Sequence, residues 1–336
     1  MTTFSTRMTT ELGIELPIIG GAMYPCSNPE LVAAISASGG IGIVQPVSLT
    51  FVHGHDFREG LRYIRRLTDR PIGMNALIEG KSRIYRERME RWIDIALEEG
   101  IRFFVTSLGN PRWVVQRAEN AGARVYHDVT ERKWADKAVA GGVHGLIAVN
   151  SRAGGHAGPK SPEQLFAELA PLGLPIVCAG GIGTADDLIR ALRTGYDGVQ
   201  LGTRFIATAE CTASDAYKRA IVDADEDDIV LSERITGVPL AVIRTPWIER
   251  TGTRAGPIAR RLLRGRRSKH WMRQFYAIRS AIQLRRASLD PNSTKDFWQA
   301  GKSVAGIHEV KPVARIMAEF REALSGGGTG EQTRVT

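Results

Sequence analysis

The chain has 336 residues, of which 43% are hydrophobic and 24% charged, with 36 glycines and 15 prolines. This length suits one large α/β domain or two smaller ones, and the apolar fraction is too high for intrinsic disorder. No stretch approaches the roughly 18 apolar residues of a membrane span, and the N-terminus lacks the apolar core of a signal peptide. Three scattered cysteines argue against a disulfide framework and a CxxC metal site. We therefore expect a cytoplasmic protein with no metal site and no membrane partner.

Short apolar runs alternate with helix-like stretches through the first two thirds of the chain. Several of these stretches begin at Asn-Pro or Ser-Pro pairs and end at glycines, as helices do. Eight strand–helix units within residues 1–211 predict a (β/α)8 TIM barrel, although an open doubly wound sheet would also alternate. The runs predicted to be buried parallel strands are Pro17–Gly20, Ile41–Val44, Pro71–Ala76, Phe103–Thr106, Ala123–His127, Leu146–Val149, Pro175–Ala179 and Gly198–Leu201.

The strand–helix alternation stops after Cys211. We predict that residues 212–305 form a mainly helical, basic insertion or second domain that covers the substrate. A closing helix within residues 306–324 is expected to pack on the barrel, and the glycine-rich tail 325–336 is expected to be disordered.

The net charge of +9 comes from one segment of the chain. Eleven basic residues and no acidic residue lie between Arg254 and Arg286, which leaves a net charge of −2 for the remainder. One interpretation is a solvated helical face. The other is a site for an anionic partner, such as an acyl carrier protein or a coenzyme A thioester, or a homodimer interface. No nucleic-acid recognition motif accompanies the segment, so we expect no nucleic-acid partner.

Glycine-rich loops follow the last two predicted barrel strands. Strand seven runs into Gly180-Gly181-Ile182-Gly183, and strand eight runs into Gly202-Thr203. The equivalent loops of many TIM barrels bind phosphate, because glycine lets backbone N–H groups approach an anion closely. The two loops together predict a phosphate site, although ordinary tight turns would have the same composition.

Three polar side chains mark the predicted mouth of the barrel. His156 lies among small residues after strand six, where a substrate would have room beside an imidazole that titrates near neutrality. A hydrogen-bonded structural histidine is the alternative. Asn75 ends strand three and Asp128 follows strand five, and a ligand at the mouth would satisfy both polar groups.

A set of motifs in a fixed order resembles the nitronate monooxygenases, once called 2-nitropropane dioxygenases. These are FMN-dependent barrels related to flavin-dependent enoyl-acyl-carrier-protein reductases. The resemblance covers nearly the whole chain. Its motifs are PIIGGAM (Pro17–Met23), ASGGIGIV (Ala37–Val44), PIGMNAL (Pro71–Leu77), AGGHAG (Ala153–Gly158), PIVCAGGIG (Pro175–Gly183), QLGTRFIATAEC (Gln200–Cys211) and FWQAGKSVAGI (Phe297–Ile307).

The resemblance implies that an FMN lies across the barrel mouth and that His156 is the catalytic residue. It places Asp128 where some relatives carry a lysine, so a cationic contact to the flavin would be missing. The implied contacts are Gly180, Gly181, Gly202 and Thr203 for the phosphate, Ala22, Met23 and Tyr24 along the flavin, Asn75 at its polar edge, and Asp128 and Gly154 as further cofactor-binding residues.

The function implied by the resemblance is oxidation of an alkyl nitronate by O2 to a carbonyl compound and nitrite. A reductase of the same fold, which uses NAD(P)H to reduce a quinone or an enoyl thioester, is the alternative that the basic segment favours. A flavin-binding or interaction protein without catalytic activity is a third interpretation, against which the intact AGGHAG loop argues.

Overall fold

Eight parallel strands form a closed barrel in the computed structural model, which describes residues 5–78, 82–235, 237–254, 282–290 and 297–326. Each strand pairs with its neighbour in sequence, and β1 closes the barrel on β8 through pairs such as Ile19 with Gln200. The predicted TIM barrel is therefore confirmed. The strands are β1 (Ile18–Gly20), β2 (Ile41–Val44), β3 (Ile72–Leu77), β4 (Phe103–Ser107), β5 (Arg124–Val129), β6 (Gly145–Val149), β7 (Ile176–Ala179) and β8 (Gly198–Leu201).

Helices alternate with the barrel strands, and their first turns are capped by local sequence. The Ser161 side chain accepts a hydrogen bond from the backbone N–H of Gln164 at the start of the helix Pro162–Leu169. The Thr184 side chain accepts one from the N–H of Asp187 at the start of the helix Ala185–Thr194. Such N-caps fix the residue at which each helix begins and therefore where the preceding loop ends. The helices are α1 (Arg7–Leu12), α2 (Pro29–Ala37), α3 (Phe57–Leu67), α4 (Arg83–Glu98), α5 (Arg112–Glu119), α6 (Arg132–Ala140), α7 (Pro162–Leu169) and α8 (Ala185–Thr194).

The interior of the barrel is apolar and is plugged at its N-terminal end by α1. Met8 and Leu12 pack there against inward-facing strand residues such as Ile19, Val105 and Tyr126. Because successive side chains of a strand point to opposite faces, residues two apart share the interior.

Strand β5 is longer than the sequence predicted. It continues past His127 to Val129, because Asp128 and Val129 pair with Ile147 and Ala148 of β6. Asp128 therefore lies within the strand and not beyond it.

The described part of residues 212–305 contains helices and one antiparallel strand pair that the sequence did not predict. The strands β9 and β10 have four residues each, too few for their apolar pattern to stand out. The last helix includes Ser325 and Gly326, which the sequence assigned to the tail. The rest of the predicted tail, 327–336, and most of the basic segment, 255–281, lie outside the described residues. The elements are α9 (Thr203–Ile206), α10 (Asp215–Asp223), β9 (Ile229–Ser232), β10 (Leu240–Ile243), α11 (Pro246–Thr251), a helix at 282–289, and α12 (Val313–Gly326).

A second, smaller apolar cluster lies apart from the barrel core. Leu240 and Val242 of β10 pack there with Leu284 and Phe297, and Tyr24 of the loop after β1 joins them. Helix α12 packs on α2 and α8 of the barrel. Among the described helices, none has the length and apolar character needed to cross a membrane.

Candidate active site

Asn150, directly after β6, holds the loops after β6 and β7 together. Its fully buried side chain accepts a hydrogen bond from the backbone N–H of Arg152 (2.8 Å) and donates one to the carbonyl of Gly180 (3.0 Å). Its own carbonyl accepts from the N–H of Gly158 (3.2 Å). Asn150 is not among the predicted site residues, although a buried polar residue between an apolar strand and a glycine-rich loop is a signal for this role.

His156 is exposed in the loop after β6, and its orientation is set by the described part of residues 212–305, called the covering region from here on. The imidazole Nδ1 lies 3.1 Å from the carbonyl oxygen of Pro239, just before β10. A carbonyl oxygen only accepts, so Nδ1 carries the proton and Nε2 of the neutral ring remains an acceptor. Gly155 and Ala241 exchange two backbone hydrogen bonds (2.7 and 3.4 Å), which tie the same loop to β10. The geometry leaves His156 free to accept a proton at Nε2.

The loop after β7 requires glycine for two separate reasons. Gly180 and Gly181 have φ angles of +118° and +82°, which side chains rarely adopt. A Cβ at Gly180 would lie 2.5 Å from the backbone nitrogen of Ala153 in the loop after β6. Close packing between these two loops is therefore enough to explain Gly180.

Three backbone N–H groups in the loops after β7 and β8 have no acceptor among the described residues. Those of Gly181, Ile182 and Thr203 donate to no described residue, whereas Gly183 and Thr184 donate to the Asp187 carboxylate. Unpaired donors on neighbouring loops of a TIM barrel fit a phosphate group. The residues present are therefore compatible with the phosphate of FMN.

Two polar side chains of the barrel wall face the mouth, and one of them was missed in the sequence. Asn75 Nδ2 donates to the carbonyl of Val105 (3.2 Å). Gln200 packs beside Gly21, and its buried Oε1 has no partner among the described residues. The sequence could have indicated Gln200, because it is a polar residue in an apolar strand that leads directly into Gly202 and Thr203. A buried oxygen without a partner is costly, and a bound ligand would supply the donor.

Asp128 is the ionisable member of this group. It shares the interior face of β5 with Tyr126, and its Oδ1 is buried without a partner among the described residues. Burial raises the pKa of the Asp128 carboxyl to about 7, because the charged form loses its hydration inside the barrel.

The loop after β1 joins the phosphate loops to the covering region. Met23 lies beside Gly202, since a Cβ on Gly202 would be 3.6 Å from the Met23 sulfur. The backbone N–H of Met23 donates a hydrogen bond to Ser27 Oγ (2.8 Å). Burial raises the pKa of Tyr24, and Arg285 acts on it in the opposite direction. The described end of the basic segment therefore lies close to the mouth.

Gly154 occupies a different setting from the other predicted cofactor residues. A Cβ there would lie 2.9 Å from the backbone nitrogen of Gly301, so close packing explains the glycine without a ligand. Like Ala22, Gly154 lies on a loop at the carboxyl ends of the strands. A cofactor contact for either residue stays a prediction.

An ion-pair network connects the His156 loop to the covering region. Arg152 makes a bidentate pair with Glu226 (2.7 and 2.9 Å), and Lys302 Nζ lies 3.3 Å from the same carboxylate. Hydrogen bonds from Arg152 lower the pKa of Glu226.

The described ranges contain no group of three or more His, Cys, Asp or Glu side chains that could hold a metal ion. A closed barrel whose strand ends carry phosphate-compatible loops and inward-facing polar side chains is the arrangement found in TIM-barrel enzymes that bind a phosphorylated ligand.

The chain belongs to the nitronate monooxygenase family, whose model matches residues 5–322. It is 27% identical to the (3aS,4S,5R,7aS)-5-hydroxy-7a-methyl-1-oxo-octahydro-1H-indene-4-carboxyl-CoA dehydrogenase of Mycobacterium tuberculosis, over 94% of each chain. It is also 27% identical to a probable nitronate monooxygenase of Staphylococcus saprophyticus, over 73% of this chain and 80% of the relative. The structure of FabK from Thermotoga maritima superimposes with a TM-score of 0.79 at 26% identity, over 97% of each chain.

Family membership makes the chain an oxidoreductase that acts on small-molecule substrates, as the sequence predicted. Flavin dependence is typical of this family. The predicted family is thus confirmed, whereas the identities of substrate, flavin and electron partner remain to be proposed.

Proposed function

We propose that this protein is an FMN-dependent oxidoreductase that oxidises an acyl-coenzyme A thioester at the carbon atoms next to its carbonyl group. The observation that carries this choice is the similarity to a carboxyl-CoA dehydrogenase over 94% of both chains. The family name alone does not discriminate, because the same family model covers the chain whichever of these substrates it takes. This proposal gives the thioester precedence over the nitronate that the motifs first suggested.

The free Nε2 of His156 supports a substrate that must lose a proton. In a thioester oxidation the base removes the proton next to the carbonyl, while a hydride leaves the adjacent carbon. The hydrogen bond between Nδ1 and the Pro239 carbonyl supports His156 in the first task, because in the neutral ring it makes Nε2 the acceptor nitrogen. When bound, the flavin supplies the two-electron acceptor. The donors around Gly181 and Thr203 would hold its phosphate, and Asn75 and Gln200 would meet its ring.

Positive charge near the mouth supports coenzyme A as the carrier. Arg285 and Arg286 are exposed on the helix at 282–289, and Arg285 is close enough to Tyr24 and His53 to act on the pKa of both. Coenzyme A carries several phosphate charges, so such residues would raise its rate of association. The same segment contributes nine further basic residues in the sequence, most of them outside the described ranges.

Nitronate oxidation by O2 is the second candidate, and the family model and the staphylococcal relative favour it. A nitronate arrives already deprotonated, so His156 would orient it and would have no proton to remove. A third arrangement runs the thioester reaction in reverse, with NAD(P)H as electron donor. The motif resemblance to flavin-dependent enoyl-acyl-carrier-protein reductases favours that direction.

Anaerobic bleaching of the bound flavin separates these candidates. Saturated acyl-CoA thioesters of several chain and ring types, an alkyl nitronate, NADH and NADPH would each be mixed with the oxidised enzyme, and the released flavin would be identified by chromatography. We expect the released flavin to be FMN, and we expect at least one acyl-CoA thioester to bleach the enzyme-bound flavin. Rapid bleaching by the nitronate, with no response to any thioester, would select the second candidate. Release of FAD, or no flavin after reconstitution, would contradict the proposal.

A matched substrate pair tests the role of the basic helix. The pantetheine thioester of the same acyl group lacks the nucleotide phosphates of coenzyme A. We expect a higher KM for the pantetheine ester, and R285E/R286E should raise the KM for the CoA ester alone. The difference should shrink with salt, because exposed charges are screened over roughly 8 Å at physiological ionic strength. Equal KM values for both esters would remove this support.

A further inference from the structure

Asp128 is a carboxyl group in the wall of an otherwise apolar barrel. Tyr126 two residues earlier belongs to the interior cluster, so Asp128 faces the interior at the carboxyl end of β5. Its register partner on β6 is Ile147, another interior residue. The side chain thus projects into the space above the apolar plug and below the loops of the mouth.

No group of the described protein compensates a negative charge at Asp128. Its buried Oδ1 has no hydrogen-bond partner in the described ranges, and burial is the sole cause of its raised pKa. The two strands that flank β5 turn uncharged residues to the interior at this level, Ser107 of β4 and Val149 of β6. Asn75 of β3 and Gln200 of β8, further round the barrel, are uncharged as well. On its own strand, Tyr126 donates to Glu11 at the opposite end of the barrel, and His127 is hydrogen-bonded to Thr106 on the outer face. In the loop after β6, His156 is bonded to Pro239 and Arg152 is paired with Glu226.

The chemistry of the cofactor matches a neutral acid better than a carboxylate. An ionised Asp128 would be a charge with one oxygen, Oδ1, buried and without a described partner, and reduction of the flavin would bring further negative charge into the same space. A protonated carboxyl instead offers an O–H donor, and a flavin ring has several acceptor oxygen and nitrogen atoms but a single N–H. The protonated form therefore gains a hydrogen bond on cofactor binding and the ionised form loses its remaining hydration.

We propose that Asp128 binds the flavin in its protonated form and donates a hydrogen bond to an acceptor atom of the ring. This inference rests on the proposed function, because it requires a flavin in the mouth. It makes cofactor affinity depend on pH through one residue. Affinity is greatest below the pKa of Asp128 in the flavin-free protein and falls as the pH rises through it, by up to about tenfold per pH unit.

The test is the FMN affinity of the flavin-free protein between pH 5.5 and 9, followed by quenching of flavin fluorescence. The FMN phosphate has a pKa of about 6 and titrates in the same range, so the informative quantity is the ratio of Kd values between variants at each pH. In D128N the amide donates a hydrogen bond at every pH, so we expect its Kd to lack the rise above about pH 7 that the wild type shows. E11Q, which changes the carboxylate at the opposite end of the barrel, is the matched control and should behave like the wild type.

Each result of this test has one reading. A Kd ratio between wild type and D128N that stays constant with pH would overturn the inference while leaving the flavoprotein proposal intact. A wild-type affinity that rises with pH more than that of D128N would show that the carboxylate accepts from the ring, which also overturns it. Failure of every variant to bind FMN would instead contradict the proposed function. If D128N does not fold, D128S takes its place with the same expected result, because a serine hydroxyl also donates a hydrogen bond at every pH of the test.

Discussion

The imidazole of His156 is held by the carbonyl oxygen of Pro239, 83 positions further along the chain, through a hydrogen bond of 3.1 Å at Nδ1. The barrel supplies the histidine and the covering region supplies its orientation. One backbone carbonyl therefore decides which ring nitrogen is available to a substrate.

Replacement of His156 by alanine should slow substrate oxidation about 10²- to 10⁴-fold, which is the usual loss for a general acid or base. Flavin content should remain near that of the parent, because the phosphate donors lie on other loops. Stopped-flow flavin reduction measures the first quantity and the absorbance spectrum the second. H308A, at an exposed histidine, is the control. Turnover of H156A within a few-fold of the parent would show that His156 is structural.

The link between β10 and the His156 loop can be cut at a single amide. Ala241 donates its N–H to the carbonyl of Gly155 (2.7 Å), and A241P removes that donor. We expect slower flavin reduction with the flavin still bound, because the loop loses its alignment. Leu231 is the residue opposite Ala241 on β9, and the two form a non-hydrogen-bonded pair of the antiparallel ladder, because Ala241 directs its N–H and C=O to Gly155. L231P is therefore the matched control, and equal rates for the two variants would contradict the role assigned to β10.

G180A should destabilise the loop after β7 and reduce flavin content. A non-glycine residue at positive φ costs about 1–2 kcal/mol, and the new Cβ would also lie 2.5 Å from the Ala153 nitrogen. G173A provides the comparison, because Gly173 has a φ of +74° and a Cβ there would have no neighbouring atom within 4 Å. Thermal unfolding and flavin absorbance should show a larger loss for G180A. Equal unfolding temperatures, with full flavin content in both, would remove the proposed close packing.

E226Q should lower the free energy of unfolding by about 0.2–1 kcal/mol at neutral pH, a modest amount because Arg152 and Glu226 are each about one third exposed. The folded protein lowers the pKa of Glu226 through Arg152, so this stabilisation is complete above the unfolded value of about 4.3 and is lost as the pH falls through the lower folded value. Urea unfolding between pH 7 and pH 3 measures the free energies of unfolding of wild type and E226Q, which should become equal as the pH falls.

The control for this pair is E87Q, which removes an exposed partner of Arg83 on helix α4, away from the His156 loop. It should change stability by a similarly small amount without affecting the KM. E226Q is expected to raise the KM as well, because Arg152 belongs to the loop that carries His156. A stability difference between wild type and E226Q that persists at pH 3 would show that charge is not the source.

Features encoded by neighbouring residues were predictable from the sequence. Apolar runs of four to six residues, proline and capping residues at helix starts, and glycines at helix ends together predicted the eight-stranded barrel. The phosphate-compatible glycines were found for the same reason, since a positive φ depends on the local backbone. The end of β5 was misplaced, because pairing with β6 extends a strand beyond its apolar run.

Relationships between distant residues emerged only from the tertiary structure. Nothing near Gln200 or Asp128 in the sequence shows that their buried oxygen atoms lack partners, because this depends on which strands close the barrel around them. The pairing of His156 with Pro239 likewise depends on β9 and β10, whose four-residue strands gain their stability from packing against the rest of the chain. Local sequence thus specifies the barrel and its loops, whereas burial and long-range pairing determine which atoms are left free to bind a cofactor or accept a proton.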